Sequence, residues 1–155
     1  MMATQVFDKG AAEYGALGSI LAVGSLTGAI ISARLEKKRG PRFVMIGSMI
    51  FSAILIISAF APTYLVYSIL LPMIGCVALL TFIAANTMVQ LRTDSQIRGR
   101  VMGIYLLIFM GGTPVGSPVI GLMAEAIGIR STIAACGAIC LIATTIIWFK
   151  FKDRV

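Results

Sequence analysis

Apolar residues gather into five runs along the chain, at residues 11–33, 43–61, 64–90, 100–126 and 131–149, with short polar segments between them. Each run is near or above the roughly 20 residues a helix needs to cross the hydrocarbon core of a bilayer. The pattern therefore predicts five transmembrane helices. The second and third runs are separated only by the Ala61-Pro62-Thr63 turn, and the fourth and fifth by a turn around Gly128 to Arg130. Helices joined so tightly are antiparallel neighbours. Pro72 and Gly75 predict a kink or tilt in the long third run, and Thr93, Asp94 or Ser95 stands ready to cap the fourth.

The fourth run belongs to the stretch around which the chain is organised, residues 90–125. It holds Pro114, Pro118 and five glycines after Val101. A soluble helix tolerates few such breakers, because proline removes a backbone donor and glycine costs about 1 kcal/mol against alanine. In a membrane, neighbouring helices re-satisfy or cover the freed backbone.

Composition supports the same solvent. The chain is 59% hydrophobic and 12% charged, with mean hydropathy +0.99. Soluble domains carry about 25% charge. There is no histidine and there are only six acidic residues, so most of the usual catalytic side chains are missing. Cys76, Cys136 and Cys140 all lie in apolar runs. Cys136 and Cys140 stand one helical turn apart without a third ligand nearby, which makes them apolar packing residues rather than a metal pair. No phosphate loop or nucleophile–base pair is present, and no enzyme, cofactor or metal is expected. The N-terminus lacks the basic and apolar regions of a signal peptide.

The net charge of +7 is a matter of placement. Segments 34–42, 92–100 and the tail after Trp148 hold five, three and three lysines and arginines, eleven of the thirteen; Lys9 and Arg130 are the others. Basic loops stay on the cytoplasmic side. The expectation is thus a multi-pass plasma-membrane protein with residues 1–10 outside, a five-span domain over 11–149 and a basic cytoplasmic tail at 150–155. Nucleic acid is not expected as a partner; the bilayer is. Five spans with an outside start further predict an additional helix upstream of residue 1.

Three groups of residues carry candidate function. Gly24-x-x-x-Gly28 is a helix-packing spacing. Gly112, Pro114, Gly116 and Pro118 fit a bending, closely packed helix or, equally, a static kinked one. Asn86 and Gln90 share a helix face, and Tyr105 and Thr113 lie two turns apart; these four are possible cavity-lining residues, with capping and interhelical bonding as the plain alternative. At the basic end, Asp94 and Arg98 have i,i+4 spacing if helical, and with Arg100, Arg34 and Arg42 they form either a gating loop or a solvated positive-inside rim. No acidic residue lies in the middle of a span, so a proton-carrying group is absent from this chain.

Four pieces resemble the major facilitator superfamily, in its bacterial drug- and siderophore-exporter branch. They are Glu13-Tyr-Gly-Ala-Leu-Gly; Gly28-Ala-Ile-Ile-Ser-Ala-Arg-Leu with the basic loop to Arg42; Asn86-Thr-Met-Val-Gln90 followed by Arg98-Gly-Arg-Val-Met-Gly-Ile-Tyr105; and Phe109-Met-Gly-Gly-Thr-Pro-Val-Gly116 through Glu125. Their order resembles the last five of that family's twelve helices. The resemblance implies an all-α membrane fold, an incomplete six-helix C-terminal bundle. It also implies alternating-access export of a small-molecule substrate, inactive without an N-terminal half or another membrane chain. Ala33-Arg34 stands where the family's better-conserved loop has an acidic residue, so its charge relay is not implied here. The other reading is a small membrane protein that docks on a partner as an assembly or regulatory subunit. A homodimeric multidrug carrier needs a buried carboxylate in the first span, and Glu13 lies too near the surface to serve.

Overall fold

The computed structural model describes residues 10–35 and 40–151. Residues 1–9, the middle of the first basic loop and most of the tail, on which some expectations fall, lie outside the described residues. Five helices follow in order: α1 (Ala11–Arg34), α2 (Pro41–Ala59), α3 (Tyr64–Arg92), α4 (Arg98–Ile127) and α5 (Ile129–Phe151). All five are long and apolar enough to span a bilayer, and there is no strand among the described residues. The protein is an all-α, multi-pass membrane protein.

The helix ends differ from expectation where local chemistry is stronger than the apolar pattern. Pro41 occupies the first turn of α2, where its missing N–H has no partner to lose. α4 starts at Arg98 with Ile97 as its cap and no side-chain cap bond. Thr93 closes α3 instead, its hydroxyl donating to the Val89 carbonyl at 2.6 Å. Thr63 caps α3 by accepting from the Val66 amide at 3.3 Å. Thr63→Ala is expected to cost about 1 kcal/mol, read as a lowered unfolding midpoint in detergent. Gly128 ends α4 at φ 83°, ψ 156°, a conformation that suits only glycine and lets α5 begin at the next residue.

Packing is made by small residues. α1 lies along α3, α2 sits between α3 and α5, and α4 leans on α5 while barely meeting α3. The buried positions are dominated by Ser32, Ser52, Ser58, Ala59, Ala61 and Ala84, while Ile139 and Phe149 are 63% and 72% exposed. Large apolar side chains facing outward suit lipid, and small ones let backbones approach. The buried hydroxyls find partners on their own helices: Ser52 donates to Ser48 O at 2.8 Å and Ser58 to Leu55 O at 2.7 Å. Thr81 Oγ1 is the exception, buried against Gly47 of α2 without a hydrogen bond.

Candidate functional site

The tightest contact is between α1 and α3. A Cβ placed on Gly24 would overlap the backbone of Pro72, and one on Gly28 the carbonyl of Cys76. Gly75 reciprocates, its added Cβ falling 2.5 Å from Leu21 O. Pro72 and Gly75 therefore serve the contact, while α3 remains a single helix across them. At the end of this seam where α1 and α3 begin, the Tyr64 hydroxyl donates to the Glu13 carbonyl at 3.0 Å, and Leu17 and Leu71 form an apolar core pair. Gly47 and Gly137 make further close contacts, to Thr81 and to Ile56. Neither was distinguishable in the sequence, because each is a lone glycine whose neighbour lies on another helix.

α4 is the opposite case. None of its thirty residues is buried. Its contact side carries Phe109, stacked on Phe82 at 4.6 Å between ring centroids, and further along Ile120 and Ala124. With 3.6 residues per turn, Pro114, Pro118, Gly103, Gly111 and Gly121 fall on the other side. Pro114 leaves the Met110 carbonyl without its helical donor, and Pro118 does the same to the Pro114 carbonyl. Gly112 and Gly116 stand nearer the contact side, yet a Cβ on either meets no atom within 4 Å. The close approach that their spacing permits is not made in this arrangement.

The basic residues gather at one end. Arg34 ends α1, Arg42 opens α2, Arg92 ends α3, and Arg98 and Arg100 open α4; all five are exposed. Asp94 lies in the α3–α4 loop outside either helix, so the helical spacing to Arg98 does not apply. Its carboxylate accepts a long bond, 3.4 Å, from the Ser95 hydroxyl. Asn86 and Gln90 do share a face of α3, where the Gln90 amide donates to the Asn86 carbonyl oxygen. The pair satisfies part of its own demand for hydrogen bonds. Tyr105 is half-buried on α4 and Thr113 is exposed.

None of those four residues lines the clearest cavity, a space of about 460 Å³ at the end away from Arg34, Arg42, Arg92, Arg98 and Arg100, where Arg130 adjoins it at the start of α5. Tyr14 and Leu17 of α1, Tyr67 and Leu71 of α3, Ala124 of α4 and Thr132 of α5 are among its walls. Sequence reasoning missed it because tyrosines near span ends read as interfacial anchors, and no spacing rule brings four helices together.

Neither the comparison with curated proteins nor that with solved structures gives a match. A family model, that of the Major Facilitator Superfamily, matches residues 2–155. With five apolar helices, a small-residue core and this match over almost its whole length, the chain belongs to the major facilitator superfamily.

Proposed function

We propose that this transporter-family chain acts as the C-terminal bundle of a facilitator-type exporter of small, drug- or siderophore-like molecules. Its arginine end faces the cytoplasm and its residues 1–10 face outside. α4 forms one wall of an alternating-access path, and export requires an N-terminal half.

The observation that carries this reading is the uncovered breaker side of α4. A carbonyl stripped of its helical donor costs several kcal/mol in hydrocarbon and is tolerated only against protein or in a watery cavity. Met110 and Pro114 are exposed, on a side that none of the described helices covers. That side suits a path wall or a second bundle, and it is a poor lipid surface. The flexible prolines and glycines then let the wall bend as access alternates. Eleven of thirteen basic residues on one side of the five spans support the orientation.

Co-expression with a matching N-terminal half is expected to produce export of a fluorescent substrate where the chain alone produces none. Export by the lone chain in liposomes, or no export with both pieces inserted, would defeat the proposal; binding without export would favour the docking subunit. Within an active pair, the exposed arginines form a latch at the cytoplasmic rim. Arg98→Ala is expected to lower the export rate by about tenfold, the equivalent of about 1.4 kcal/mol in the barrier, without reducing the amount of protein in the membrane. Normal export by that variant would leave Arg98 as a topology determinant alone.

A further inference from the structure

We infer that the cavity between the start of α5, α1, α3 and the end of α4 is a binding site for a compact, uncharged aromatic molecule carrying a hydroxyl or similar group. Four observations lead there. The space is about 460 Å³, within the roughly 300–1,000 Å³ of small-molecule sites. It is short: on α1 it reaches only from Tyr14 to Leu21, about 10 Å of helix axis, against a hydrocarbon core of about 30 Å. Between α1 and α3 it ends one turn beyond Leu21, where the Gly24 backbone lies on Pro72. A transmembrane helix needs a groove running the depth of the bundle, and the lining of this space covers no more than about two turns of any helix. Finally, no lining residue is ionisable as an acid or base at neutral pH. A charged ligand would be desolvated without a counter-charge, whereas the rings of Tyr14 and Tyr67 offer stacking faces and phenolic edges.

The recess is independent of the α4 side assigned to the transport path. Ile120 and Ala124, its α4 contribution, are on the helix side opposite Pro118. Gly15 and Gly18 line it too, and an added Cβ at either would meet no atom within 4 Å. Larger side chains there enter the void.

The test uses the full chain in nanodiscs and a phenol bearing a trifluoromethyl-diazirine, with attachment sites mapped by mass spectrometry. Labelling around Leu17 and Tyr67 is expected to saturate and to fall by about tenfold under excess naphthol. Gly18→Leu is expected to remove it while leaving labels on the outer side of α4 unchanged. Gly15→Leu serves as the second variant should the first not accumulate. Labelling that rises linearly with probe and is equal in the variants marks partition into lipid and overturns the inference. Loss of labelling on co-expression of an N-terminal half marks a helix as the occupant and overturns it as well.

Discussion

Gly24→Leu combined with Gly28→Leu is expected to leave no recoverable folded bundle. The reason lies in what each added carbon would strike. At both positions it falls on backbone of α3, at Pro72 and Cys76, and backbone in a continuous helix cannot rotate away as a side-chain tip can. The helices would have to separate along the seam that carries the Leu17–Leu71 pair and the Tyr64–Glu13 bond. Overpacking a well-filled contact costs about 1–3 kcal/mol for small additions, so Gly24→Ala alone is expected to cost towards the upper end of that range. Gly15→Ala and Gly112→Ala are the controls. Both have open space around the new methyl, and alanine is the better helix former, so they should be neutral or slightly stabilising. Reversible unfolding in mixed micelles, followed by circular dichroism, separates the two classes. Equal losses at all four positions would show that the α1–α3 seam is not the stabilising contact.

The second large effect concerns solvent on α4. In a background without Cys76, Cys136 and Cys140, cysteines at Leu107 and Val115 are expected to react with a membrane-impermeant maleimide at least about ten times faster than one at Ile139, once an N-terminal half is present. All three positions are similarly open in the isolated chain, at 72%, 70% and 63% exposure, so exposure alone does not distinguish them. The thiolate is the reacting species and forms in water, not in hydrocarbon. A path wall is wetted during the cycle; the outer side of α5 is not. Equal, slow labelling at the three positions would mean that α4 faces lipid, and the path would have to lie elsewhere.

The two glycine pairs show where linear reading stops. Gly24 with Gly28 and Gly112 with Gly116 have the same spacing and the same apolar setting. One pair is pressed onto another backbone, and the other has nothing within 4 Å. The spacing says that a helix side is low enough for close approach; it does not say whether a partner is there. Pro72 and Gly75 teach the same lesson from the other direction. Read alone they are helix breakers, yet in the fold they are the surface on which α1 rests. The Asp94–Arg98 pair depended on a helix that begins only at Arg98, after Ile97 caps it, and a one-turn change in a helix start removes an i,i+4 relation altogether. That none of the thirty residues of α4 is buried, by contrast, could not be foreseen from a composition as apolar as that of its neighbours.

The chain's apolar run lengths, by themselves, determined five spans and an all-helical class, because hydrocarbon leaves a backbone no partners except its own. Its arginines likewise determined which helix ends gather on one side. Which helices touch, which glycines matter and where a cavity opens were decided only in three dimensions. Lipid is as apolar as leucine, so hydrophobicity cannot choose a neighbour in the membrane. That choice falls to shape, to one backbone close enough to another, and shape is a property of pairs of helices.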